Sequence, residues 1–242
     1  MNATVAHLTA RSLLGRRRTL LLLLLPTILL LLSGVVRTLV GTDQPLSVSL
    51  LGGFTLGTMV PLLGLIVGTG AIGPEIDDGS IIYLLSKPIS RFTIATTKFA
   101  VAVGILTAVA AVPTLIAGLI LSGTADRVAV AYAVGAAIAG IAYCGLFLLL
   151  AVLTRNAVVA GLIYVLIWEA LIGGFVPGAQ ALSIQQWALA ITERIMDGSA
   201  ESLGVASAVG LGTGIVLLLV VAVGATWYAG ARLRTLPLSS DE

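Results

Sequence analysis

Apolar residues in this chain neither alternate nor keep to one helical stripe; they continue for about 20 residues at a time, separated by short polar stretches. A hydrocarbon core about 30 Å thick takes roughly 20 apolar residues per helix. Six such runs predict six membrane spans: Thr19 to Val40, Val48 to Ile72, Phe99 to Ser122, Val128 to Leu153, Ala157 to Phe175 and Leu203 to Ala229. Strands of a membrane barrel would alternate apolar and polar residues with period two, and none of these runs does. The expected fold class is an all-α integral membrane protein, with residues 1–242 forming a single transmembrane domain.

Two stretches carry a different period. In "NATVAHLTARSLLGRRR", residues 2–18, Val5, Leu8 and Ser12 fall near one helical face with bases crowding the end, the pattern of a helix lying along a membrane surface, with a frayed basic tail as the plain alternative. In "SIQQWALAITERIMDG", Ile184, Trp187, Ala188, Ile191 and Ile195 recur at helical spacing. Ser183 with Gln186 fits a capping box and Gly198 a helix stop, so a short external amphipathic helix is expected between spans five and six.

Composition agrees with the pattern: 58% of residues are hydrophobic, 10% are charged, and the mean hydropathy is +1.12. Soluble domains carry about 25% charged residues. The lone Cys144 excludes a disulfide framework, and in its apolar surroundings it reads as a small packing residue. Arg16, Arg17 and Arg18 ahead of a leucine run suggest a signal peptide, but the run is too long and no small-residue cleavage site follows, so it is read as a retained span.

Orientation follows from the bases, because cytoplasmic segments keep an excess of Lys and Arg. With both termini inside, Arg11, Arg16, Arg17, Arg18, Lys87, Arg91, Lys98, Arg155, Arg232 and Arg234 are cytoplasmic, against Arg37, Arg127 and Arg194 outside. The polar stretch Gly73 to Lys98 is then a cytoplasmic loop. Asp77 or Asp78 is placed to cap a short helix over Ser80 to Ser86, Pro88 ends it, and Ser90 caps the helix that rises through Lys98 into span three. Such an elbow presents Glu75, Asp77, Asp78, Tyr83, Lys87 and Arg91 to a partner; an ordinary solvated loop with positive-inside charges is the plain alternative.

Several chemistries lack their residues. His7 is the single histidine, so His-based triads and metalloprotease sites have no base within the fold. The pair Asp77-Asp78 lacks the further aspartates that a membrane-embedded lipid transferase needs for its divalent cation. Neither lysine follows the glycine of a phosphate-binding G-x-x-x-x-G-K-[ST] loop, so the chain is not expected to be an enzyme and any use of ATP belongs to another polypeptide.

The pattern Glu75-x-x-x-Gly79-Ser80-Ile81-x-x-Leu84-Leu85-Ser86-x-Pro88-Ile89-Ser90-Arg91, followed by Lys98, resembles the first cytoplasmic loop of ABC-2 type transporter permeases. That family shows an acid, Gly-Thr-Leu, Leu-Leu, Pro-Val-Ser-Arg and a lysine; Ser80 and Ile89 are mild departures. Six spans, an N-terminal interfacial helix and the pair Trp168-Glu169 in span five are also similar, so the likeness covers essentially the whole chain. The resemblance implies that the loop is a coupling helix seated in a cytosolic ABC ATPase, with Glu75, Gly79, Leu84, Leu85, Pro88, Ser90 and Arg91 matching the motif. It implies a second permease copy or paralogue and two ATPase subunits that bind ATP and Mg, with no cofactor in this chain. The expected setting is the cytoplasmic membrane of a prokaryote, and nucleic acid is not an expected partner.

Glu169 lies about 18 Å into span five if that helix starts near Ala157 and rises 1.5 Å per residue. An acid at that depth contacts substrate, carries protons, or is held by hydrogen bonds that fix helix packing, for instance from a tyrosine. Span two carries Gly53, Gly57, Gly64 and Gly68 around Pro61, two small-xxx-small pairs on either side of an expected kink. In a dimer, spans two and five would line the route, with Thr55, Thr58, Pro61 and Glu169 along it. So apolar a path favours export of a hydrophobic or amphipathic substrate. The competing classes are an ion-gradient transporter relaying through Glu169 and a non-transporting scaffold or immunity subunit.

Overall fold

The computed structural model describes residues 3–80, 90–173, 176 and 178–233. Every regular element among them is helical: α1 (Ala3–Leu13), α2 (Arg16–Leu39), α3 (Gln44–Leu50), α4 (Val60–Gly70), α5 (Gly73–Asp77), α6 (Arg91–Ser122), α7 (Val128–Leu153), α8 (Ala157–Ile163), α9 (Ile184–Met196), α10 (Ser199–Ser202) and α11 (Leu211–Arg232). Among the described residues, the continuous stretches Arg18–Leu39, Gln44–Asp77, Arg91–Ser122, Ala125–Leu153 and Leu211–Arg232 are the 5 that are long and apolar enough to cross a membrane. The fifth expected run, read as a span, is a shorter apolar helix, Ala157–Ile172. The sixth begins at Leu211 rather than Leu203: Gly204 takes φ 71°, a left-handed conformation open to glycine, and the segment after it turns back onto α9. There Ser207 Oγ donates to Gln186 O at 2.9 Å, and the Ser207 N–H donates to Glu193 Oε2 at 2.9 Å.

Helix α7 is the hub, packed by α4, α6, α8, α9 and α11. Tyr132, Tyr143, Cys144 and Phe147 on it are fully buried, Cys144 as the packing residue expected. By contrast α2 packs mainly on α6 along Leu22, Leu29 and Ser33, leaving Leu20, Leu23, Leu24 and Leu31 exposed. With no water to take up free backbone groups, helices satisfy the bilayer core, and apolar attraction between them is weak, so close packing must hold them together. Glycine supplies that closeness. A Cβ on Gly64 would stand 2.7 Å from Tyr143 Cβ, and one on Gly68 2.8 Å from Phe147 Cβ and 3.2 Å from Cys144 O. The Gly64/Gly68 pair is therefore a notch for α7. The Gly53/Gly57 pair is not: Gly53 faces open space and Gly57 lies against the Gln185 side chain. Gly68→Ala is expected to push α4 off the α7 backbone and lower stability by about 1–3 kcal/mol, whereas Gly53→Ala leaves it unchanged; thermal unfolding in detergent compares the two.

The expected kink at Pro61 takes the form of a wide helix. Pro61 lacks an N–H, and its ring would strike the carbonyl four residues back. The preceding segment Leu51–Met59 is wound as a π-helix, with the Val60 N–H donating to Thr55 O, five residues back. A second π-helical segment, Tyr164–Ile172, continues α8 and touches the first. At the end of the bundle away from the elbow, both segments meet the start of α9.

The N-terminal helix buries Val5, Thr9 and Leu13 against its neighbours, not Val5 with Leu8 and Ser12; Leu8 is 50% exposed. Its packing side faces α6 and α4, so the i, i+4, i+8 line of that contact decides what is covered. Helix α9 also departs from expectation. Rather than lying on the surface, it is wedged between α7 and α11, with Trp187, Ala188 and Thr192 buried.

Candidate functional site: polar clamps at the two ends of the bundle

The elbow face gathers the start of α2, the end of α4, α5, the start of α6, the turn from α7 to α8 and the end of α11. Helix ends leave carbonyls without intrahelical partners, and cations near them are favoured. Here basic side chains meet those carbonyls across helices. Arg18 donates to Gly70 O at 3.1 Å, Lys98 to Ala71 O at 2.7 Å and Arg91 to Leu233 O at 2.5 Å. At the opposite end Arg37 does the same to Leu121 O at 3.4 Å.

Lys98 is the knot of this arrangement. It is 0% exposed, and its ammonium also donates to Glu75 Oε1 at 2.7 Å, an ion pair in which the Glu75 side chain is 28% exposed. Glu75 Oε2 is buried with no partner among the described residues. Lys98 was expected in a solvated loop; the structure puts it inside, two turns up α6, because the end of α4 needs a donor there. Two expected partner contacts, Glu75 and Arg91, are thus engaged within the chain.

Asp77, Asp78, Gly79, Ser80 and Ser90 are exposed. Asp78 follows α5 at its C-terminal end, Gly79 takes φ 69°, and Ser80 Oγ donates to Glu75 O at 3.4 Å. Ser90 caps α6 as expected, accepting the Thr93 N–H at 3.1 Å. The helix expected over Ser80 to Ser86 and the residues Tyr83, Leu84, Leu85, Lys87 and Pro88 lie outside the described residues.

The second clamp, at the end of the bundle away from the elbow, centres on Glu169, 1% exposed on the second π-helical segment. Its Oε1 accepts from Tyr164 Oη at 3.0 Å and from the Ile184 N–H at 3.0 Å, and its Oε2 accepts from Ser183 Oγ. Ser183 Oγ in turn accepts the Gln186 N–H at 3.4 Å, the expected cap of α9. Gln186 completes no box; its side chain accepts the Ala208 N–H at 3.1 Å instead. Beside it Gln185 Nε2 donates to Gly52 O at 3.4 Å. The start of α9 is thereby tied to both π-helical segments, and a carboxylate at a helix start complements the helix dipole.

The four residues expected along a route sit in different surroundings: besides the enclosed Glu169, Thr58 is exposed and donates to Gly53 O at 3.3 Å, Pro61 is buried at the start of α4, and Thr55 Oγ1 is buried without a partner among the described residues. Sequence reasoning missed Tyr164, Ser183 and Gln185 as partners of the second clamp, and Arg18 as a cap for α4. The bases at span ends were a visible signal; the π register that brings Tyr164 to Glu169 was not.

No curated protein matches the chain. The model of the family described as "ABC-2 family transporter protein" matches residues 4–227, nearly its full length, so the chain belongs to the ABC-2 family of transporter proteins and is a multi-pass membrane permease subunit of an ABC transporter.

Proposed function

We propose that the chain exports a hydrophobic or amphipathic substrate as the membrane half of an ATP-driven pump, paired with a second permease copy or paralogue and gripped at its elbow by two cytosolic ABC ATPases. The observation that carries this reading is the inner clamp. Through Lys98, Glu75 and Arg91 the root of the elbow is bonded to the ends of α4, α6 and α11, so a push on it reaches three long helices at once. ATP and Mg are held by the partner, and this chain contributes no catalysis.

Family membership and charge support six crossings with both termini cytoplasmic. Helix α8 with its π-helical continuation has 7 and 9 residues, which rise at most about 24 Å at 1.5 Å each. Beyond it the Val176 N–H donates to Ile172 O at 3.0 Å, extending the fifth crossing toward the outer surface. The start of α2 and the end of α11 share the elbow face, on which Arg91, Lys98, Arg155 and Arg232 also lie, and α1 lies along that face. The three hydrogen bonds that occupy Glu169 weigh against a proton relay.

Because Glu75 and Arg91 are committed internally, the docking charges to test are Asp77 and Asp78. The double reversal Asp77→Lys/Asp78→Lys is expected to cut co-purification of the partner ATPase by about tenfold, as loss of complementary charge at an exposed contact weakens association. The thermal unfolding of the permease itself stays unchanged. Undiminished ATPase recovery from this variant would remove the elbow from the interface.

A further inference from the structure

On the elbow face a cleft of about 420 Å³ opens between α2, α4 and the α7–α8 turn. Its polar lining includes Arg18, Arg155, Thr154, Asn156 and Thr69, with Asp77 as its one acid; its apolar lining includes Leu21, Leu65, Ile66, Val158 and Val159. We propose that this cleft binds an anionic glycerophospholipid of the elbow-side leaflet, its phosphate held by Arg18 and Arg155 and its acyl chains laid along Leu21, Val158 and Val159.

Three observations converge on that ligand. First, the charge is in surplus: two guanidinium groups face one carboxylate, and Arg155 makes no hydrogen bond or ion pair among the described residues. Arg18 is fixed at the mouth by its bond to Gly70 O, which uses one of the five N–H donors that a guanidinium carries. The planar fork of arginine suits phosphate oxygens, and basic pockets between membrane helices are where anionic headgroups settle. Second, the walls below the arginines are hydrocarbon. Leu21 is 52% exposed and Val158 and Val159 are 59% exposed, so the polar mouth passes directly into exposed hydrocarbon of the kind that lipid tails cover. Third, the cleft lies at helix ends, where α2 begins and α4 stops, the level at which a headgroup meets its chains. A soluble anion would use the mouth and leave the apolar walls bare; a phospholipid matches both.

Retention of this lipid by the isolated chain does not depend on export or on an ATPase. The experiment is native mass spectrometry of the purified full-length chain with added phosphatidylglycerol or phosphatidylcholine. The unaltered chain is expected to keep one phosphatidylglycerol in preference to phosphatidylcholine. Arg155→Gln is expected to weaken that binding roughly fivefold, one basic contact at a membrane surface. Val158→Trp, which fills the apolar wall and leaves both arginines, lowers retention as well. Arg194→Gln, on the far face, changes nothing. Both altered cleft positions are exposed, so the fold stands in each variant. Equal retention of the two lipids, an Arg155→Gln chain that keeps the preference, or displacement by millimolar inorganic phosphate with Val158→Trp unaffected each overturns the proposal.

Discussion

Glu75→Ala is expected to lower the stability of the chain by about 3–5 kcal/mol, the cost of leaving a buried charge without its partner. Lys98 is fully enclosed, and its ammonium has two ligands at 2.7 Å, Glu75 Oε1 and Ala71 O. Without the carboxylate the positive charge keeps only the neutral Ala71 carbonyl of these two. The reverse deletion, Lys98→Met, is milder. The Glu75 side chain retains 28% exposure and can turn its charge outward, while methionine fills much the same volume. With both changes made together no charge is left to strand, so the double variant recovers most of the loss. A double-mutant cycle by thermal unfolding in detergent gives the coupling directly. Losses that simply add would mean that the two side chains act independently and that the elbow is not clamped.

That asymmetry between the partners also bears on how force passes. The charges that the sequence concentrates between Gly73 and Lys98 divide into two sets with different work. Glu75, Arg91 and Lys98 are turned inward and make the elbow root rigid; Asp77 and Asp78 face out. Reversing the first set disturbs folding as well as the proposed docking, and of the second set only Asp78, which does not line the cleft, tests docking alone.

What the sequence disclosed follows from how strongly the bilayer constrains each feature. Long apolar runs can satisfy their backbone only as helices, so the spans at α2, α6 and α7 were readable to within a turn or two at their ends. Ser90 and Ser183 were readable as caps because capping is local to three residues. Less visible was anything set by one helix meeting another. Hydropathy favours a span through Leu203 to Gly210, yet Ser207 and Glu193 fold that segment back onto α9. The amphipathic face of α9 gave its helical period but could not distinguish a membrane surface from two flanking helices. Lys98 belongs to the same class, because its burial depends on where α4 stops. Glu169 was singled out by its depth alone, and its three donors come from residues 5, 14 and 15 positions away. Only the π-helical winding and the return of the chain through α9 bring those donors together.

Glu169→Ala is expected to be the other severe change, for a different reason. Three donors, Tyr164 Oη, Ser183 Oγ and the Ile184 N–H, lose their acceptor at once. Each buried group left unsatisfied costs about 1–3 kcal/mol, so a loss of about 3–9 kcal/mol is expected, with α9 detaching from the π-helical segments first. Glu169→Gln separates structure from transport. The amide oxygen still accepts from Tyr164 and Ile184, and the amide nitrogen can donate to Ser183 once that hydroxyl turns to accept. The cost falls to about 1 kcal/mol, one hydrogen bond weakened from charged to neutral. Transport by the glutamine variant, measured in reconstituted vesicles with the partner ATPase, then stays near the original rate. Hydrogen exchange of the α9 amides reports the loosening, strong in the alanine variant and slight in the glutamine one. If transport is abolished in Glu169→Gln while α9 stays protected, the carboxylate charge itself takes part in moving substrate or protons. Retained transport with graded loss of protection makes Glu169 the acceptor that keeps the end of the bundle away from the elbow closed around α9.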